Sequence, residues 1–271
     1  VYPEALNLGQ IKTLYDQDND HQNWDGSARV CQPCAAAEYH FDACSYPAAA
    51  SEASGSITDS SGNGFHGTPI NGLASQPGKR CRAGYFNGTD QYVEIDDQSA
   101  FEDTSYLTLM AWIYPEEIHQ HNGTNARGIM AKREGPSTEE AFGLFFWNGH
   151  GNNLWVDIDG TDNRFASNAS FAPNEWRHIA VVFDGTLPKN ERVKVYVDGT
   201  LDQVERENST FIPDYNSNLY LGNLYYGDNQ LKVFKGLLDE VRVIGKALTA
   251  AEIRATYLTS RLCPDCDADL H

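Results

Sequence analysis

The stretch NEWRHIAVVFDGTLPKNERVKVYVDGT, residues 174–200, carries two apolar runs around a polar turn. RHIAVVFD is rich in β-branched and aromatic residues, and in VKVYVDG the valines 193, 195 and 197 alternate with Lys194 and Tyr196. Alternation at period two puts one face of a strand on a packed layer and the other toward solvent. The same grammar extends outward in both directions. EYHF, GYF, QYVEI, LTLMAWIY, GIMAK, AFGLFFW, NLWVDI, NLYLG and FKGLLDEVRVI are short runs of strand-forming residues separated by Gly, Asn, Asp and Pro. No sustained helical segment divides them, so the expected class is all-β, with antiparallel sheets packed as a two-sheet β-sandwich or jelly roll. One helix is expected near the C-terminal end, where Thr249 stands three residues before Glu252 as a capping box ahead of IRATYL. Residues 1–37 read as a partly helical N-terminal extension, 38–260 as the β domain, and 261–271 as a cysteine-bearing tail.

The 271 residues carry 20 Lys and Arg against 38 Asp and Glu, a formal charge of -18. That field repels phosphate backbones and anionic lipid, so no nucleic acid and no membrane insertion are expected, and cations or neutral ligands suit it better. No apolar run approaches the roughly 20 residues that span a bilayer. The opening VYPEALNLGQ has neither initiator Met nor signal peptide and reads as a mature or excised part of a larger exported protein. Six cysteines (Cys31, Cys34, Cys44, Cys81, Cys263 and Cys266) with only two Met fit an oxidising, extracellular or cell-surface setting, the periplasm included. The pairs Cys31/Cys34 and Cys263/Cys266 suit disulfides stapling the chain ends; four thiolates around Zn²⁺ is the alternative.

Seven segments in series resemble the laminin-G-like jelly rolls of the concanavalin A-like lectin/glucanase superfamily: DSSGNGFHGT, FNGTDQYVEI, LTLMAWIYP, NEWRHIAVVFDG, VKVYVDGT, NLYLGN and FKGLLDEVRVIGKALTAAEI. A cysteine before the first loop and GKRCRAGYF after it are similar to bacterial exported proteins associated with mannose-sensitive haemagglutinin pili, a resemblance that implies a Cys44–Cys81 bridge. It also implies a calcium ion tying the first loop to the last strand. Here that would use Asp59, Asn63, His66 and Asp239, because calcium takes six to eight oxygens from carboxylates, amides and carbonyls.

The family-16 glycosidases of the superfamily set two Glu and an Asp along one strand, but here Glu94-Ile95-Asp96-Asp97 is followed by Gln98, which cannot exchange a proton. Neither G-x-S-x-G, H-E-x-x-H nor a phosphate loop occurs. The expectation is a non-catalytic, lectin-like adhesion module for a glycan. A surface-protein assembly domain and a degenerate glycosidase are the alternatives. Trp147, Tyr225 and Tyr226 offer flat faces for sugar stacking, and His119, Asn148 and Asp228 offer hydroxyl partners, all in polar loops at the sheet rim. Trp112 and Trp176 sit beside apolar runs and are expected to pack.

Overall fold

The computed structural model describes residues 35–42, 56–119, 126–134, 139–160, 164–224 and 232–259. Among these the strands are β1 (Ala37–Tyr39), β2 (Thr68–Ile70), β3 (Ala74–Pro77), β4 (Arg82–Asn87), β5 (Tyr92–Ile95), β6 (Tyr106–Pro115), β7 (Ala126–Glu134), β8 (Glu139–Trp147), β9 (Asn153–Ile158), β10 (Phe165–Ser170), β11 (Arg177–Asp184), β12 (Val193–Val197), β13 (Thr200–Glu205), β14 (Leu219–Leu221) and β15 (Lys235–Ile244). A 3₁₀ turn spans Ser99–Phe101, and one helix, α1, spans Ala250–Leu258.

All ladders are antiparallel and form two sheets. The eight-stranded sheet runs β13-β12-β11-β6-β15-β4-β3, with β1 added alongside β15; the seven-stranded sheet runs β10-β9-β8-β7-β14-β5-β2. Residues of one parity meet between the sheets. Leu109, Ala111 and Ile113 of β6, Ile179, Val181 and Phe183 of β11, and Val193, Val195 and Val197 of β12 face Phe142, Leu144 and Phe146 of β8 and Leu154, Val156 and Ile158 of β9 in one continuous core. Burying each large side chain there contributes about 1.5–3 kcal/mol.

The eight-stranded sheet is covered on its other face too. Met110, Ala180, Val182, Tyr196 and Ile244 form a second apolar cluster with Leu248 and Ile253, the latter on α1. That cover explains why β6 reads as an unbroken apolar run, and why Tyr196, which alternation alone would turn to water, is buried. Trp112 is buried as expected, yet on this outer face, stacked on Tyr257 of α1 at 5.4 Å with Lys79 Nζ 4.6 Å from its ring. Trp176 is half-buried and tilts against Tyr114 at 5.4 Å. The capping box forms as read: the Thr249 side chain accepts from the Glu252 N–H (3.3 Å) and Glu252 accepts from the Thr249 N–H (2.7 Å). The turn between β12 and β13 places Asp198 and Gly199 at φ 50° and 71°, the paired left-handed geometry of a tight hairpin. Gly199 has a second reason to be glycine, because a Cβ would come 2.9 Å from the Tyr257 ring.

Candidate functional site

The loop Asp59–Thr68 is held from its first residue. Asp59 is nearly buried, and its Oδ1 accepts N–H groups from Glu38 (3.0 Å) and Ser61 (2.9 Å). Its Oδ2 accepts from the Ser61 hydroxyl (2.8 Å) and the Phe65 N–H (3.1 Å). The Asp59 N–H donates to His66 Nδ1 at 3.0 Å, and the Asn63 amide donates to the carbonyls of Ala35 and Ala36. Gly62 and Gly64, at φ 89° and 80°, let the loop fold back without strain. The loop therefore staples the segment around β1 to the domain.

Asp239 sits at a different joint. It marks the bulge where β15 exchanges β4, paired at 235–238, for β1, paired at 241–243. Its Oδ2 accepts the Arg80 N–H at 2.7 Å, and a Cβ on Gly78 would fall 2.8 Å from that oxygen. Its Oδ1 is buried and has no hydrogen-bond partner. Burial pushes the Asp239 carboxyl up to about 8, with Glu240 and Asp42 adding to the effect.

Asp59 and Asp239 each serve their own turn, Asp59 within the first loop and Asp239 at the bulge of β15. Both oxygens of Asp59 are saturated by the protein, and Asn63 turns its donor, not its oxygen, to the neighbouring carbonyls. Among the described residues, the acidic and histidine side chains that do converge are Glu38/His40/Glu240 and Asp97/Glu102/Asp214. Each group already holds a cation of the chain. Arg242 reaches Glu38 at 2.5 Å and Glu240 at 3.3 Å, and Lys132 reaches Asp97 and Glu102.

Of the aromatic candidates, Trp147 stands in a corner on the outer face of the seven-stranded sheet. Trp147 ends β8, with His150 against it at 4.1 Å and Trp155 of β9 edge-on at 4.9 Å. Trp147 and Trp155 are half-buried and His150 is exposed, so the group opens to solvent. The Arg164 guanidinium lies 4.7 Å over Trp147 and 5.2 Å over Phe145. It is fixed there by two hydrogen bonds, both 2.6 Å, to Asp157. Asp157 and Glu140 share Arg133, at 3.2 and 2.5 Å, and all three are buried. Burial and the Asp157 charge push the Glu140 carboxyl up to about 9. Gly143 leaves room for this pair, since a Cβ would meet Glu140 Oε1 at 3.1 Å. Two polar atoms beside the aromatics lack partners: Trp155 Nε1, a donor, and Glu140 Oε2.

Of the other expected ligand residues, His119 Nε2 bonds Asn152 Oδ1 at 2.9 Å, and Asn148 comes directly after Trp147 in the same hairpin. Tyr225, Tyr226 and Asp228 lie outside the described residues, as do Cys31, Cys34, Cys44, Cys263 and Cys266. Sequence reasoning missed His150, Trp155 and the Arg164–Asp157–Arg133–Glu140 floor. Period two in NLWVDI did offer a signal, since Trp155 and Asp157 share the parity opposite to the core residues Leu154 and Val156. Glu94 and Asp97 do not converge: Glu94, on the outer face beside Tyr220, accepts from Asn218, while Asp97 turns to Lys132.

Two apolar-cored antiparallel sheets with a polar and aromatic outer corner define a lectin-like jelly roll. The chain belongs to the concanavalin A-like lectin/glucanases superfamily, whose laminin-G family model matches residues 87–254. Domain 4 of an extracellular arabinanase from Geobacillus stearothermophilus, solved with arabinotriose, superposes with TM-score 0.60 at 22% identity, over 82% of this chain and 97% of that one. The binding domain of botulinum neurotoxin DC superposes with TM-score 0.59 at 10% identity in its complex with SialylT, over 85% of this chain and 52% of that one. In its complex with rat synaptotagmin II it superposes with TM-score 0.57 at 9% identity, over 84% and 52%. At these identities the likeness is one of fold. A search by sequence against curated proteins finds no significant match. Among the described residues no helix is long and apolar enough to cross a membrane.

Proposed function

We propose that this domain is a non-catalytic extracellular binding module that takes a glycan at the Trp147–His150–Trp155 corner. The observation that carries the reading is the corner itself. Three aromatic rings, two half-buried and one exposed, are braced from below by the ion network of Arg164, Asp157, Arg133 and Glu140. Sugars bind proteins by stacking their C–H faces on such rings and by hydrogen-bonding their hydroxyls to fixed polar groups. A rigid floor matters because ordering a loose site subtracts from affinity. The arabinotriose complex of the arabinanase domain and the SialylT complex of the toxin domain support a glycan over other ligands for this fold.

The test is a glycan array followed by titration calorimetry on the best ligand. Trp147→Ala is expected to weaken binding about tenfold or more, as loss of a stacking face at the centre of a site does. Unchanged binding by both Trp147→Ala and Trp155→Ala would remove the reading. The second reading, docking of a surface protein, is favoured by the synaptotagmin complex of the same toxin domain. A silent array with capture of a defined protein partner would select it.

Two stabilising features complete the proposal. That Cys81 is disulfide-bonded supports the Cys44–Cys81 bridge. The expected structural calcium ion, with Asp59, Asn63, His66 and Asp239 as its residues, is supported by the buried Asp239 Oδ1, which has no hydrogen-bond partner. A calcium-dependent rise in melting temperature that Asp239→Asn abolishes supports it, and a melt indifferent to calcium and chelator removes it.

A further inference from the structure

Lys132 occupies a position that no lysine chooses for solvation. Its β7 register pairs it with Phe142 of β8 and Leu219 of β14, both members of the core between the sheets, and it is fully buried. Its Nζ touches the Asp97 carboxylate, lies 2.9 Å from Glu102 Oε1, and donates to the carbonyls of Tyr215 (2.9 Å) and Ser217. The partners are themselves fixed. Glu102 is fully buried and accepts the Tyr215 N–H at 2.9 Å through Oε2, while the Asp97 N–H is bound to Asn218 Oδ1 at 3.1 Å. An amine, a carboxyl and a second, buried acid thus meet at one point on rigid elements. Burial holds the Glu102 carboxyl up to about 7, so it is poised to exchange a proton near neutral pH.

We propose that Lys132 and Asp97 join in an intramolecular amide, with Glu102 as the proton shuttle, so that β7 is covalently tied to the segment that comes after β5. In the first step a proton passes from the ammonium to the Asp97 carboxylate it touches, leaving an amine and a carboxylic acid in contact. The Nζ lone pair attacks Asp97 Cγ and the C–N bond forms. Glu102 gives its proton to the departing hydroxyl as the C–O bond breaks, then takes one back from the nitrogen as the amide is completed. One water leaves, no electrons are transferred and no co-reactant is needed. The Asp97 side chain is 35% exposed, which gives that water a way out, whereas Lys132 and Glu102 at 0% keep bulk water from reversing the step. A strand and a connecting segment that part under load or heat in a hydrogen-bonded sandwich would here be held by a bond that neither reduction nor chelation breaks.

The experiment is the intact mass of the purified chain after reduction. The expected result is a mass lower by one water than the sequence requires, with Lys132 and Asp97 recovered in a single branched proteolytic peptide. Lys132→Met, which keeps an apolar side chain in the core, restores the full sequence mass. Glu102→Gln retains the fold by circular dichroism but also shows the full mass, because the shuttle is gone. A wild-type chain at full sequence mass, with Lys132 and Asp97 recovered in separate peptides, overturns the proposal whatever the variants do.

Discussion

The two sheets meet the outside in opposite ways, although their outer faces are built from the same materials. On the eight-stranded sheet, Trp112, His178 and Tyr257 cluster within 5.7 Å of one another with Lys79 over the Trp ring. On the seven-stranded sheet, Trp147, His150 and Trp155 cluster within 5.5 Å with Arg164 over the Trp ring. The first cluster is closed by the chain's own helix, and the second is open. An aromatic group capped by its own chain adds to stability; the same group left uncapped is available to a partner. Whether a helix packs over the cluster therefore separates the structural face from the binding face where residue type cannot.

The largest test of that separation is a pair of truncations. Trp112→Ala removes a buried indole and leaves a cavity beneath α1, and is expected to cost about 3–5 kcal/mol in urea unfolding. Trp147→Ala, half-buried and facing water, is expected to cost about 1 kcal/mol while abolishing most ligand binding. Equal costs would mean that the open corner is packed as tightly as the sealed one.

A smaller effect distinguishes the faces by the sign of their pH dependence. His178, buried beside Trp112 with Asp198, Arg242 and Arg80 around it, has its pKa lowered by burial to about 4. The unfolded chain, with His near 6.5, then binds more protons than the native one between those values, so stability rises with pH across that window and is complete above it. Glu140, facing Asp157, Arg133 and Arg164, is raised to about 9, so the native chain binds the extra proton. Its contribution is full below about 4.5 and is lost as pH rises toward 9. Each slope is at most about 1.4 kcal/mol per pH unit. His178→Gln should flatten the acid limb and Glu140→Gln the alkaline limb of a stability-versus-pH curve. A variant that flattens the other's limb breaks the assignment of charges to faces.

The same contrast between inside and outside governs how much of the molecule was legible in the sequence. NLWVDI and RHIAVVFD appear as β9 and β11 residue for residue, because a strand with a buried face writes its period into the chain. The strands that reading overlooked, β2, β3, β10 and β13, are the end strands of the two sheet paths. An edge such as ASQP or FASNAS has a neighbour on one side only and little apolar surface to bury, so its residues are free to be small and polar. The site was legible to a similar depth. Trp147 announced itself as an aromatic in a polar loop, whereas nothing local reveals that buried Arg133, Glu140 and Asp157 and half-buried Arg164, from two neighbouring hairpins, will meet. Asp59 and Asp239 show the same limit: both side chains are buried at turns, but the register of β15 on β1 and β4, which no local signal announces, assigns Asp239 its partners.

The smallest predicted effect tests the seal directly. Thr249→Ala removes the N-cap of α1 and one half of its capping box, which typically costs about 1 kcal/mol. The Glu252 carboxylate, held low at about 2 chiefly by Lys246 and then by the Thr249 N–H, keeps its lysine partner, so the helix should fray at its first turn without detaching. If sealing by α1 is what makes the Trp112 face structural, fraying should raise the quenching of Trp112 fluorescence in a background where the other tryptophans are Phe, and leave glycan binding at Trp147 intact in the otherwise native chain. A loss of binding in Thr249→Ala would show instead that the two faces are coupled through the core, and that the open corner depends on the closed one.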